Sequence, residues 1–226
     1  MIAVHKFRLG FSLIEMLIVL SVLGVLFAIA APNLFSLMQA SSLSSEGNLI
    51  RNKLTQAQQL ALSKNNDVEV RFFKMADPGA AELEAEFRAF QFFQYDEKGQ
   101  LNPVSKFFRI SSPVIISAEN STLLKEKGNQ DEGAQDYGFM APSVGTAEIP
   151  IGSRVENTEY VAFRFRPDGS TDLPGRSGSS DAYQGGDTWY LTLIQGTDPV
   201  EASGLPANYY TVQLDPFNGR LAVFRP

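Results

Sequence analysis

Residues 11–31 read FSLIEMLIVLSVLGVLFAIAA, an apolar run of 21 residues that carries one charge, Glu15. At 1.5 Å rise per residue it makes a helix roughly 31 Å long, the thickness of a bilayer's hydrocarbon core. The ten residues before it, MIAVHKFRLG, contain Lys6 and Arg8, no acid, and end in Gly10. Basic residues placed only upstream of an apolar run put the N-terminus in the cytoplasm and the chain beyond the run outside.

Two plain readings compete for this stretch. A secretory signal has an apolar region of about 7–15 residues followed by a small-residue cleavage site. Ala28, Ala30 and Ala31 imitate such a site, but the run is longer and the helical pattern continues past Pro32. A simple signal anchor explains the length and the charge, but not Glu15. A carboxylate at the centre of a spanning helix costs on the order of 2.5–3.5 kcal/mol, less toward an end. It needs a partner. If the chain is cut after Gly10, Phe11 gains an α-amino group, and that amine on one subunit can neutralise Glu15 of a neighbour. Such a pair exists only in an assembly and would set the stagger between subunits, a register role attested for buried charges.

Pro32 lacks an N–H and clashes with the preceding turn, so a kink is expected there, with Gly24 a second weak point. Beyond it, Leu43, Gly47, Ile50, Leu54, Ala57 and Ala61 repeat at helical spacing and line one face, which predicts a helix to about Ser63 that packs on a sheet. Lys64-Asn65-Asn66-Asp67 ends it. Strands are expected at 68–73, 87–95, 113–117, 159–166, 188–195, 209–214 and 220–225, with turns at Asp96–Gly99 and Asp215–Gly219. One long helix followed by antiparallel strands is an α+β class. The organisation is a leader at 1–10, a helix at 11–64 with its transmembrane half at 11–31, and a β-rich domain at 65–226.

Composition limits the chemistry. There is no cysteine, and the one histidine, His5, lies in the leader. After a cut at Gly10, Ser-His-Asp and Cys-His catalysis and His/Cys zinc sites are excluded. No glycine-rich segment has phosphate-loop or dinucleotide spacing. Glu82, Glu84 and Glu86 read as a solvated charged stretch, and no carboxylate pair stands out, so no enzyme is expected. The 19 basic and 25 acidic residues give a formal charge of −6. Loss of Lys6 and Arg8 leaves 17 against 25, or −8, which argues against nucleic acid as a partner.

The run Gly10-Phe11-Ser12-Leu13-Ile14-Glu15 resembles the class III signal of type IV pilins and type II secretion pseudopilins, over roughly residues 6–35. The resemblance implies that a prepilin peptidase cuts after Gly10 and N-methylates Phe11, that Glu15 guides assembly, and that the Gly24–Pro32 segment can lose helicity in the filament. It further implies a single-pass protein of the bacterial inner membrane, its globular domain periplasmic, whose partners are other pilin or pseudopilin subunits, the prepilin peptidase and the inner-membrane assembly platform. Tyr160–Ser170, with its Pro167-Asp168-Gly169 turn, and the closing Asn218-Gly219-Arg220-Leu221-Ala222-Val223 resemble the GspH/FimT-type minor pseudopilins. Pilin-like cassette proteins of verrucomicrobia share this general plan. The inserts at 77–86, 119–136 and 170–187 have no counterpart in the family.

The function implied is a structural, minor subunit of a type II secretion pseudopilus or type IV pilus. The alternatives are a DNA-binding minor pilin used in DNA uptake and a membrane-anchored periplasmic binding module that never polymerises. Some major pseudopilins hold Ca²⁺ in a C-terminal loop, which makes Asp168, Asp172, Asp181 and Asp187 candidate ligands. Their spacing matches no EF-hand, and a plain solvated loop is the competing reading. Some FimT-like proteins bind DNA through basic C-terminal residues. Arg220 and Arg225 are the counterparts here, set against surface charges at strand ends.

Overall fold

A computed structural model describes residues 11–77, 85–124, 142–151, 154–173, 189–196 and 204–226, the side chains of 30–36, 150, 151 and 154 excepted. Gly10, Lys6, Arg8, Glu82, Glu84, Asp181 and Asp187 lie outside the described residues, as does most of each insert. The helix α1 spans Leu13–Lys64 and is helical through both Gly24 and Pro32. Ten strands follow: β1 Val68–Met75, β2 Glu86–Tyr95, β3 Leu101–Pro103, β4 Phe108–Arg109, β5 Val114–Ile116, β6 Ser143–Ile151, β7 Arg154–Phe165, β8 Trp189–Gln195, β9 Tyr210–Leu214 and β10 Leu221–Phe224. The α+β plan is the one expected. Two compact units divide between Ser41 and Ser42, inside α1, so the C-terminal part of the helix belongs with the sheet.

Every pairing in the sheet is antiparallel, in the order β10-β9-β8-β5-β2-β1-β7-β6. β3, β4 and β5 follow one another along a single edge of β2, at Tyr95↔Leu101, Phe90↔Phe108 and Phe87↔Ile116. They amount to one return strand, interrupted after Pro103: Val104 N–H still donates to Phe92 O (2.9 Å), but the Phe92 N–H goes to Ser105 Oγ (2.9 Å) instead of a backbone carbonyl. The Asp96–Gly99 turn forms as expected. The Asp96 carboxylate accepts from the N–H groups of Lys98 (2.9 Å) and Gln100 (2.8 Å), and Gly99 takes the left-handed φ of 74°. The Gln100 bond is the main reason the Asp96 pKa lies below its ordinary value.

The predicted stripe is the one that is buried. Leu43, Gly47, Ile50, Leu54, Ala57 and Ala61 join Val68, Val70, Phe72, Phe90, Phe92, Phe163, Val212 and Leu214 in the main core. Asn65 ends the helix in the left-handed conformation, φ 49°, as asparagine does at this position. On the opposite face of the sheet, Glu69 bridges Arg71 (2.7 Å) and Arg164 (3.1 Å), and the Arg71 guanidinium lies over the rings of both Phe93 and Tyr160.

Two contacts fix the helix on the sheet. Gly47 lets α1 approach the ring of Tyr210, whose hydroxyl donates to Asn48 Oδ1 at 2.9 Å. Farther along, Gln58 Nε2 donates to Gly169 O (2.9 Å) and Asn218 O (2.8 Å). The two turns it holds are those that carried the minor-pseudopilin resemblance, and Thr171 N–H ties them again through Pro216 O (2.8 Å). Gly219 has φ 65°, and any Cβ there would stand 2.4 Å from Gln58 Nε2.

A Cβ on Gly47 would fall 2.4 Å from Tyr210 Cδ1. Overpacking of this kind costs about 1–3 kcal/mol, against a helix-propensity gain of about 1 kcal/mol for alanine over glycine. Gly47→Ala is therefore expected to lower the denaturation midpoint. An unchanged or raised midpoint would show that the helix does not depend on this approach.

Candidate functional site in the N-terminal helix

The first backbone bond of α1 runs from Met16 N–H to Ser12 O (3.2 Å), which places Phe11 and Ser12 just ahead of the helix and Glu15 in its first turn. Leucine, isoleucine and valine propagate the helix from there, with Ser21 returning its hydroxyl to Ile18 O at 2.7 Å. Every described side chain from Phe11 to Ile29 is exposed, among them Phe11 at 72%, Leu13 at 84% and Leu20 at 70%. The stripe on the later half of the same helix is at most 1% exposed at Leu43, Ile50, Leu54, Ala57 and Ala61. A contiguous apolar surface of this kind marks an interaction site on a protein or a membrane. Among the described residues no helix is long and apolar enough to cross a membrane.

Glu15 is exposed and is the only acid of this half. A carboxylate in the first turn gains about 0.3–1 kcal/mol from the positive end of the helix dipole. A charge costs ~2.5–3.5 kcal/mol at the centre of a bilayer and less toward an end, where Glu15 stands, and the dipole gain is a fraction of the centre value. In an apolar setting the helix end alone leaves Glu15 in want of a cation.

Residues 6–31 match a family model described as the prokaryotic N-terminal methylation motif. This segment carries that motif. It takes in Gly10, Phe11 and Glu15, the three residues singled out in the sequence, and ends where the apolar run ends. Among solved structures the chain is similar to the minor pseudopilin EpsH from the type 2 secretion system of Vibrio cholerae, at 9% identity and a TM-score of 0.40, over 82% of this chain and 98% of that one. No curated protein matches the chain.

The other candidates belong to the sheet domain. Asp168 is exposed and closes its own turn, accepting from Ser170 Oγ (2.6 Å) and N–H (2.9 Å), bonds that hold its pKa below the ordinary value. Asp172 instead accepts the Arg164 N–H at 2.7 Å, and burial pushes its pKa up. The structure brings neither to a third acid; among the described residues no group of three or more His, Cys, Asp or Glu could hold a metal ion. Arg220 and Arg225 stand at the two ends of β10, roughly 17 Å apart along the strand. Arg225 lies over the Tyr210 ring at 5.9 Å, and Arg220 gives its backbone N–H to Asn218 Oδ1. Gln58 was not foreseen, since a glutamine off the apolar stripe looks like any solvated residue.

Because the fold raises the Asp172 pKa, its ionised carboxylate weakens the folded state, and that loss vanishes as the pH falls through the raised pKa. Asp172→Asn keeps an acceptor oxygen for Arg164. It is expected to raise the melting temperature at neutral pH, the advantage fading on acidification. A variant that melts lower at neutral pH would show that the carboxylate's attraction to Arg164 and Arg166 outweighs its burial.

Proposed function

We propose that the chain is a structural, minor subunit of a type II secretion pseudopilus or type IV pilus. A prepilin peptidase cuts it after Gly10 and methylates Phe11. The processed subunit is held in the inner membrane by residues 11–31, with the sheet domain in the periplasm. The observation that carries this reading is the coincidence of the methylation motif with a lone carboxylate on an otherwise uncharged, mostly apolar helix half whose described side chains are all exposed. Counted over the full sequence, that half is long enough to span. Its partners are sister subunits, whose Phe11 amine neutralises Glu15, together with the peptidase and the assembly platform. Helicity through Gly24 and Pro32 belongs to the lone chain, and those two residues are where packing in a filament would deform it. The placement of the two C-terminal arginines gives the DNA-binding reading no added support.

The test is made in cells that hold a prepilin peptidase. Mass spectrometry is expected to find a mature chain that starts at methylated Phe11. Glu15→Ala is expected to be cut at the same bond and yet to be absent from sheared or cross-linked filaments. An uncut Met1, or a cut after Ala31, would overturn the processing. Normal incorporation of Glu15→Ala would overturn the filament reading and favour an anchored module.

A further inference from the structure

We propose that a cavity beside β1 and β2 binds a carboxylate carried next to an aliphatic group, the chemistry of the last residue of a peptide. The site is independent of the filament reading and stands or falls apart from it.

The register of β1 on β2 runs Phe73↔Ala89 and then Lys74↔Phe87. Arg88 is thus the extra residue of a β-bulge, a device that re-aims a side chain out of the strand's alternation. Its neighbours show the effect: Phe87 faces the main core, Ala89 the smaller cluster on the other side. Arg88, only 8% exposed, lines a cavity of about 330 Å³ with Met75, Asp77, Arg109, Ile110 and Ser112. That is about twice the ~150 Å³ that holds a benzene ring and at the small end of the ~300–1,000 Å³ of ligand pockets. It suits one residue rather than a long segment.

The polar groups select the charge of the occupant. Arg88 Nη1 pairs with Asp77 Oδ2 at 3.2 Å, and Ser112 Oγ donates to the same oxygen at 3.0 Å. Arg88 Nε is buried and has no hydrogen-bond partner. A guanidinium brings five donors to a site, and a buried donor left unmet weakens the fold until an acceptor reaches it. Arg109 stands on the same cavity as a second, exposed guanidinium. Among the described residues that line the cavity, two guanidiniums stand against one carboxylate, with Met75 and Ile110 as apolar wall. A planar carboxylate suits such a fork of donors, and an aliphatic group beside it suits the wall.

The full processed chain in detergent micelles is titrated with N-acetyl-leucine and with N-acetyl-leucinamide, followed by saturation-transfer NMR. The acid is expected to bind at least about tenfold more tightly than the amide, and Arg109→Ala to weaken the acid about tenfold without shifting the melting temperature. Arg109 is the residue to change, because loss of Arg88 leaves Asp77 buried without its ion pair and endangers folding. Equal binding of acid and amide, no binding of the acid at about 10 mM, or an acid affinity untouched by Arg109→Ala would each overturn the proposal. A short peptide ending in leucine separates the sources. Tighter binding than N-acetyl-leucine supports a peptide end, and equal binding supports the site with a free small acid as its occupant.

Discussion

One helix is asked to satisfy two surroundings, and the rest of the molecule follows from that constraint. Up to Ile29 its apolar residues occur on every side, a pattern that suits a helix surrounded by apolar material. From Leu43 to Ala61 one stripe of them is fully buried against the sheet, with Leu60 packed beside it. Nothing in the helical backbone distinguishes the two halves. The difference lies in which positions are apolar, and it decides that the later half is part of a globular core while the earlier half has its surface uncovered.

The later half owes its position to small and polar residues rather than to the large ones. Leucine and isoleucine in the stripe supply area, but they would accept several registers on an apolar sheet. Gly47 admits the Tyr210 ring at one point only, and Gln58 finds two carbonyl acceptors at another. The second contact also joins two turns that lie far apart in sequence. The Pro167-Asp168-Gly169 turn and the Asn218-Gly219 turn look like separate family signals when read along the chain. In space they share one side-chain amide. Gly219 is required for that sharing as much as for its own left-handed backbone.

Much of this was legible beforehand, for physical reasons. The helical stripe, β1, β2, β8, β9 and β10 all combine apolar periodicity with clear punctuation, and each lies close to where the sequence puts it; β7 ends as expected but begins at Arg154, five residues early. β3 and β4 were missed because strands of three and two residues carry no periodicity to read. β6 was missed because Gly145 and Pro150 lower its strand propensity, and β7 supplies the pairing that overrides them. At the candidate site, Glu15 was legible because a charge in an apolar run is costly. Asp77 and Arg88 were not, since a bulge that re-aims one arginine leaves no mark in the spacing of residue types.

Where the uncovered apolar surface lies bears on how the chain can associate. In the sheet domain the described exposed large hydrophobics are few: Leu62, Val104, Val144, Val155, Phe217, Val223 and Phe224. The sheet face away from the helix could have been a second sticky surface, but the Arg71–Glu69–Arg164 ladder and the arginine held between Phe93 and Tyr160 finish it with ionic and cation–π contacts. Single exposed hydrophobics are normal on a soluble surface. The run from Phe11 to Ile29 is different in kind, because it is contiguous. Burial at about 25 cal/mol per Å² makes such a surface the dominant driving force for whatever covers it, but that force has no direction and sets no register. Direction has to come from a group whose partner sits at one place only, and in this half of the helix Glu15 is the one described side chain with the charge to require it.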